Sequence, residues 1–437
     1  MTPADDLLTG EGAPRIAWIA PDLARTRGWL GLGEPVAVIC ADAMGLADAM
    51  PFATLEIPPS DDSPSSAHSL LDRTEARSFL QDHAITHLLV FKGTRRLLDR
   101  AEALDLRVMI GAPSVAQRFE NKVLFSDIAR DLGLRTPATQ TGQRGLPSHE
   151  ELSAALGPLH VLQSARGHSG QGTWRIASAA DHARASEAIA HRGWKATAWI
   201  EGTTWTLNAC VDRHGNIAVG PTYRQLTGIP ECTPHVLGAC GNIWGEDSAP
   251  EALPALAKTL GTSLHDGGFV GSFGIDAIDS GDALHLIEVN PRLTSGLSME
   301  AMLSSARGAT SVAESHLRAH RGGAIEDGPL PGDIRGSQLV LYARTEEVTS
   351  LQSAPLSGRY RLEGGACRRI DDCTDPAQTS AGEAIIWART PHRPIPAGAE
   401  FLRIQSTDSL ARPDSNTLSD HGAQWVRTLE ADCLFSD

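Results

Sequence analysis

The segment from Gly271 to Arg292 constrains the fold more than any other part of this chain. It contains the run GSFGIDAID, a polar turn at Ser280-Gly281-Asp282, and the run LHLIEVNPR. Two alternating runs around a short polar turn predict a β-hairpin. Glu288 and Asn290 are two residues apart in the second run, so they share a face of the hairpin.

The hairpin also predicts where a third oxygen donor lies. With the turn centred near Gly281, Asp276 is almost opposite Leu286 and therefore diagonally across from Glu288. A one-residue slip in register would break this arrangement. Two carboxylates and an amide suit Mg²⁺, which is usually bound together with nucleotide phosphates, and Arg292 adds positive charge for a phosphoryl group. The alternative is a surface hairpin with solvated acids.

A glycine-rich loop forms the second informative segment. Residues 161–175 read VLQSARGHSGQGTWR, which predicts a strand, a loop with three glycines and another strand. Glycines let backbone N–H groups approach phosphate closely. Because the loop joins two strands, it is not the P-loop that opens a helix. An ordinary glycine-rich hairpin is the alternative interpretation.

Together these segments resemble the ATP-grasp superfamily. Ile287–Arg292, with Asp276 upstream, resembles the metal-binding signature of that family. The other parts follow in the family's order: Glu120-Asn121-Lys122 resembles the segment with the first nucleotide-binding lysine, the glycine-rich loop spans 166–173, and Ala198–Gly202 resembles the hinge that holds adenine.

The resemblance implies a mixed α/β fold with three parts. Residues 1–111 would form an N-terminal Rossmann-like α/β pre-grasp domain. Residues 112–330 would form the ATP-grasp nucleotide- and metal-binding domain. Residues 331–437 would form a β-rich C-terminal domain. The motifs lie in the middle part, and the two flanks match by architecture alone.

The resemblance also implies a set of site residues and cofactors. Asp276, Glu288 and Asn290 would hold one or two Mg²⁺ ions, with Mn²⁺ accepted, and Glu288, Asn290 and Arg292 would be catalytic. The residues implied for ATP are Lys122, Gln163, Arg166, Gly167, Gly170, Gly172, Trp199, Ile200 and Glu201.

Two positions depart from the family pattern. Gln163 stands where the family carries a lysine on the strand before the glycine-rich loop. Thr204 stands where an acid often contacts the ribose, although Glu201 is close by. These changes keep open a weakened or repurposed nucleotide site.

Other polar residues are candidates of lower specificity. Tyr223 and Arg224 follow a predicted strand on the substrate side, where an arginine can grip a carboxylate; a solvent-facing loop is the equal alternative. We interpret Cys240 as a buried structural thiol and His168, inside the glycine-rich loop, as incidental.

The flanking segments carry weaker patterns. Short apolar runs at 16–20, 36–40, 87–91 and 108–110 predict buried parallel strands of a small doubly wound domain, with a helix at 75–83. One helix is predicted from 113 to 132. Strands are predicted at 338–344, 384–388 and 400–405, and a closing helix at 419–430.

Composition excludes several classes of function. The 437-residue chain has a formal net charge of −15, which disfavours nucleic-acid and anionic-membrane binding. It has no apolar stretch of membrane-spanning length, and its polar start lacks the features of a signal peptide. The seven scattered cysteines fit reduced thiols, so a cytoplasmic protein is expected.

The predicted function is that of an ADP-forming ligase. It would activate a carboxylate as an acyl phosphate and couple it to an amine, with an amino acid or small peptide as substrate and a homodimer as the assembly. The alternatives are a biotin-carboxylase-like or purine-pathway-like enzyme and a non-catalytic nucleotide-binding homologue.

Overall fold

The computed structural model describes most of the chain. Its helices are too short or too polar to cross a bilayer, as far as the described residues go. The described ranges are 14–32, 36–59, 66–167, 172–189, 193–345, 347–413 and 415–435.

The N-terminal part is a five-stranded parallel sheet of order β3-β2-β1-β4-β5. Both faces of the sheet are buried, as predicted for a doubly wound domain. One face packs against its own helices, whereas the other packs against helices from residues 297–320. The elements are β1 Ile16–Asp22, β2 Ala37–Asp42, β3 Ala53–Glu56, α1 Ala67–Leu71, α2 Thr74–Asp82, β4 His87–Val90, α3 Arg95–Glu102 and β5 Arg107–Met109, with 3-10 turns at Ala24–Leu32 and Ala47–Ala49.

The helix predicted for 113–132 is two helices. Asn121 separates α4 (Pro113–Glu120) from α5 (Lys122–Asp131), because its backbone is extended at φ −73° and ψ 110°. The Asn121 side chain accepts hydrogen bonds from the backbone N–H groups of Val123 and Leu124. The single-helix prediction was wrong because this N-cap starts a new helix inside a continuous helical pattern. As a result Lys122 is the first residue of α5.

A four-stranded antiparallel sheet of order β6-β9-β7-β8 follows. Two helices cover one face, where Leu152, Leu162 and Trp194 are buried together. The elements are β6 Thr139–Gly142, α6 His149–Leu156, β7 His160–Ser164, β8 Thr173–Ile176, α7 Ala179–Ile189 and β9 Trp194–Ala198.

The rest of the chain is built around a 12-stranded sheet. The pairing of β13 with β17 joins the central and C-terminal strands, so the ladder runs past the boundary proposed at residue 330. The elements are β10 Thr203–Val211, β11 Ile217–Val219, β12 Tyr223–Thr227, β13 Ala239–Trp244, α8 Leu253–Asp266, β14 Gly271–Asp279, β15 Leu284–Asn290, α9 Leu297–Ala306, α10 Val312–His320, β16 Gly328–Pro329, β17 Gly336–Tyr342, β19 Gly358–Glu363, β20 Ala366–Asp371, β21 Glu383–Ala388 and β23 Glu400–Ser406.

A separate three-stranded sheet and the last helix complete the C-terminal part. Trp425 and Leu429 of that helix pack into the same core cluster as Leu339 and Ile404 of the large sheet. The strands and helix predicted for this part are confirmed to within two residues at each end. The remaining elements are β18 Thr349–Ser353, a 3-10 turn at Pro376–Gln378, β22 Pro394–Ile395, α11 Asp420–Ala431 and β24 Leu434–Phe435.

Candidate active site

The β14–β15 hairpin has a different register from the predicted one. Asp276 lies opposite Glu288, and Ala277 lies opposite Leu286, with a bulge at this step. Ile287 is therefore an extra residue on β15, with no partner of its own. The sequence pattern does not reveal such a bulge, because it inserts one residue without interrupting the apolar run.

The three oxygen donors nevertheless converge as predicted. The Asn290 amide Nδ2 donates to Asp276 Oδ2 at 3.1 Å and to Glu288 Oε1 at 3.1 Å. Burial and the adjacent Glu288 carboxylate raise the pKa of Asp276. Burial acts in the same direction on Glu288, but the Lys122 ammonium, together with Asn290 and Arg292, outweighs burial and lowers the pKa of that carboxyl.

Cationic side chains surround the acidic pair. Lys122 Nζ lies 2.6 Å from Glu288 Oε2 and is buried at the start of α5. Arg292 Nη2 donates to Asn290 Oδ1 at 2.9 Å, and its Nε donates to Glu120 Oε1 at 3.1 Å. Because α4 and α5 meet at Asn121, both Glu120 and Lys122 reach the hairpin.

The hinge segment lies between the two sheets. It connects β9 of the four-stranded sheet with β10 of the large sheet. At Gly202 the backbone passes so close to β14 that a Cβ atom would lie 2.2 Å from the Asp279 carbonyl oxygen. A cavity of about 330 Å³, here named the hinge cavity, opens beside this segment. Its lining includes Gln163, Thr197, Trp199, Ile200, Glu201 and Thr204.

The glycine-rich loop is described only at its two ends. Arg166 and Gly167 line a cavity of about 200 Å³ together with Lys122 and Arg292. Gly172 has φ +73°, and a Cβ there would lie 2.4 Å from Ser164 Oγ, so the position requires glycine. Gly170 and His168 lie outside the described residues.

A second large cavity, of about 490 Å³, lies on the other side of the acidic pair. We call it the polar cavity. Asp276 and Glu288 line both this cavity and the hinge cavity, so the acidic pair stands at their junction. The polar cavity is also lined by residues of the N-terminal and C-terminal parts of the chain, namely Arg25, Lys92, Gln338, Arg389, Glu400 and Arg403.

The structure separates the two residues predicted for the substrate side. Tyr223 lines the polar cavity, and its hydroxyl accepts a hydrogen bond from Asn208 Nδ2 at 3.1 Å. Arg224 points to the opposite face, where it is 1% exposed and pairs with Glu246. Its predicted grip on a substrate carboxylate is therefore not supported, because neighbouring residues of a strand face opposite ways.

Residues 119–296 match the family model described as the ATP-grasp domain. This part of the chain is an ATP-grasp domain. No curated protein matches the sequence significantly.

Solved structures of the ATP-grasp fold resemble almost the whole chain. The biotin carboxylase domain of Hydrogenobacter thermophilus 2-oxoglutarate carboxylase, in complex with MgADP, ADP and bicarbonate, is 11% identical with a TM-score of 0.61, over 97% of this chain and 90% of that one. Staphylococcus aureus N5-carboxyaminoimidazole synthetase, complexed with ADP, is 10% identical with a TM-score of 0.56, over 96% of each chain. Thermotoga maritima phosphoribosylamine–glycine ligase is 15% identical with a TM-score of 0.58, over 96% of this chain and 97% of that one. At these identities the likeness concerns the fold.

Sequence reasoning missed several polar groups around the ATP-grasp site. Lys195 on β9 is 3% exposed, and its Nζ lies 3.4 Å from the Ile287 carbonyl oxygen, beside the acidic pair. Lys92 Nζ lies 2.6 Å from Glu120 Oε2. Lys195 is a charged residue inside the apolar run before the hinge, and this position could have marked it as a site residue. Nothing in the sequence around Lys92 marks that residue in the same way. Cys240 is fully buried, in agreement with its structural interpretation.

Proposed function

We propose that this chain is an ATP-dependent ligase that activates a carboxylate as an acyl phosphate and couples it to an amine, releasing ADP and phosphate. The observation that carries the proposal is the position of Asp276 and Glu288 at the junction of the hinge cavity and the polar cavity. A nucleotide in the first cavity and a carboxylate in the second would meet at these acids.

The donor set fits Mg²⁺. Among the described residues no cluster of three or more His, Cys, Asp or Glu side chains forms a metal site. Asp276, Glu288 and Asn290 supply two carboxylates and an amide, which suits an ion that is also held by nucleotide phosphates. In this structure the Asn290 amide bridges the two acids, and the Lys122 ammonium is paired with Glu288. Bound Mg²⁺ would neutralise phosphate charge at the same place.

The chain's own residues would position the reacting groups. Trp199 and Ile200 would hold adenine through their backbone groups, and Lys122 would contact phosphate. Arg292 would stabilise the charge that develops as the phosphoryl group is transferred. Arg166, Gly167 and the rest of the loop would exclude water, because acyl phosphates hydrolyse readily.

The lining of the polar cavity favours a small zwitterionic substrate, such as an amino acid or a small peptide, within this proposal. Arg389 donates through Nε to the Glu400 carbonyl oxygen at 2.8 Å, and its guanidinium lines the cavity. Arg389 would bind the carboxylate of such a substrate, whereas the acids Asp22 and Glu400 of the same cavity are each paired with Arg25. Tyr223 would contribute to the shape of this cavity beside the acidic pair.

A carboxylating enzyme is the second candidate. Both the biotin carboxylase domain and N5-carboxyaminoimidazole synthetase share the fold over nearly the full chain. Gln163 and Thr204 also leave a non-catalytic nucleotide-binding homologue as a further alternative. We propose the boundaries 1–111, 112–330 and 331–437 for the three parts, and a homodimer, since the biotin carboxylase domain is a dimer.

One assay separates these functions. The chain with Mg·ATP is supplied with bicarbonate or with pairs from the twenty amino acids, and ADP, AMP and phosphate are quantified. The ligase predicts ADP and phosphate in amounts that depend on a particular acid and amine. AMP as the main product would refute the proposed chemistry. Turnover with bicarbonate alone would favour a carboxylase, and Mg·ATP binding without turnover would favour the non-catalytic homologue.

A further inference from the structure

The β7 strand of the nucleotide site lacks a cation. Gln163 lines the hinge cavity at the position where the family resemblance leads us to expect a lysine. Its Nε2 donates to Thr173 Oγ1 at 3.2 Å, across the base of the glycine-rich loop. The amide therefore ties β7 to β8 and carries no charge to offer a phosphate.

A lysine occupies the matching position on the neighbouring strand. Gln163 and Lys195 are directly paired in the antiparallel β7–β9 ladder, so their side chains leave the same face of the sheet. The next pair on that face, Val161 and Thr197, lines the hinge cavity. Lys195 therefore extends beneath this cavity toward the acidic pair.

The Lys195 ammonium is buried without an acid of its own. Its hydrogen bond is to the Ile287 carbonyl oxygen at 3.4 Å, and no carboxylate of the described chain lies within ion-pair distance. The neighbouring Glu288 is already paired with Lys122 at 2.6 Å. A buried charge without a counter-ion is unfavourable, so a bound anion would stabilise the Lys195 ammonium.

The electrostatics of the site agree with a missing anion. Burial, with a further contribution from the nearby Lys122 ammonium, lowers the pKa of Lys195 to about 8. Because Lys122 is already paired with Glu288, the Lys195 ammonium is an additional positive charge near the hinge cavity. A di- or triphosphate entering from this cavity would restore the balance.

We propose that Lys195 contacts the nucleotide phosphates and thus replaces, from the adjacent strand, the lysine absent at position 163. The inference rests on the proposed nucleotide binding and adds to it the residue that makes Gln163 compatible with a functional site. The four-carbon stem of lysine allows the ammonium to be supplied from either strand of the pair.

Binding measurements on relocated charges test this inference. Calorimetric titration compares the wild-type chain, Lys195→Met, and the double variant Lys195→Met/Gln163→Lys, each with Mg·ADP, Mg·ATP and adenosine. We expect Lys195→Met to weaken both nucleotides by about 10- to 100-fold, as for loss of a charged hydrogen bond. Adenosine, which has no phosphate, should bind equally to the wild-type chain and to Lys195→Met. The double variant should recover most of the affinity for Mg·ADP and Mg·ATP.

Two further variants control for general loss of a lysine and for misfolding. Lys258→Met removes a half-exposed lysine remote from the site, with a 3.7 Å contact to Asp327, and should bind nucleotides like wild type. Lys195→Gln serves if Lys195→Met does not fold. Wild-type affinity in the Lys195 variants would overturn this inference and leave the proposed function intact. Failure of the wild-type chain to bind either nucleotide would overturn both.

Discussion

Asp276 and Glu288 face each other directly across the β14–β15 hairpin, because the extra residue Ile287 shifts the register at that step. The bulge places the two carboxylates on one face, where the Asn290 amide bridges them at 3.1 Å on each side. Bulges of this kind commonly re-aim side chains beside active sites. The hairpin thus combines a regular ladder with one irregular step at the acids.

Glu288→Gln should abolish most activity while leaving the fold intact. Gln keeps the size of the side chain but removes the charge that pairs with Lys122 and would bind Mg²⁺. We expect the ligation rate at saturating Mg·ATP to fall at least about 100-fold, or about 2.7 kcal/mol in the transition state. The melting temperature should fall, because the buried Lys122 ammonium loses its acid partner and the relief of repulsion at Asp276 offsets only part of that loss.

Asp279→Asn is the matched control on the same hairpin. Asp279 Oδ1 accepts a hydrogen bond from the Gly281 backbone N–H at 2.9 Å, and the Asn oxygen can do the same. The variant should keep wild-type activity. Near-normal activity in Glu288→Gln would remove the main support for the proposed function.

Gly202→Ala should weaken nucleotide binding by disturbing the hinge. Gly202 has φ +155°, and an added Cβ would collide with the Asp279 carbonyl oxygen at 2.2 Å, so β10 and β14 must separate. Gly281→Ala is the control, since φ is +85° but no atom lies within 4 Å of the added Cβ. Both variants share backbone strain of about 1–3 kcal/mol. Only Gly202→Ala should also lose affinity for Mg·ADP in titrations, and equal affinities would contradict a role for the close approach.

Arg224→Met should reduce stability without selectively affecting substrate affinity. The Arg224 guanidinium is buried against the Glu246 carboxylate, and its removal leaves that acid unpaired. A loss of about 3–5 kcal/mol in the free energy of unfolding is expected in urea titrations. The surface variant Arg335→Met, whose contact to Asp247 is 3.7 Å, should be nearly neutral. A raised KM for the acid substrate with unchanged stability would restore the substrate role predicted from the sequence.

Glu300→Gln should remove a pH dependence of stability. Burial raises the pKa of Glu300 to about 8, and Asn208 Nδ2 donates to its carboxyl at 2.5 Å. The folded protein retains this proton up to about pH 8, whereas the unfolded chain releases it near pH 4.5. Wild-type stability should therefore fall as pH rises through this window, by up to about 1.4 kcal/mol per pH unit. Glu300→Gln lacks this loss, so urea titrations at pH 5.5, 6.5 and 7.5 should show its advantage growing with pH. Parallel profiles for the two proteins would contradict the raised pKa.

Local patterns in the sequence determined much of this protein. Alternation along 271–290 placed Glu288 and Asn290 on one face, because the side-chain period of a strand is a local property. Four of the five parallel strands of the N-terminal sheet followed from short apolar runs, whereas β3 was not predicted. The hinge at 198–202 and the order of the motifs followed from the family resemblance, which needs no knowledge of contacts.

Contacts between distant segments decided the rest. The bulge at Ile287 depends on how β15 pairs with β14, and Lys195 joins the site only because β9 pairs with β7. Arg224 is neutralised on the face away from the polar cavity by Glu246, which lies on a loop after β13. Helices α9 and α10 cover the N-terminal sheet from nearly two hundred residues away along the chain. Such pairings arise from burial and charge complementarity between remote segments, and the pattern along one segment does not predict them.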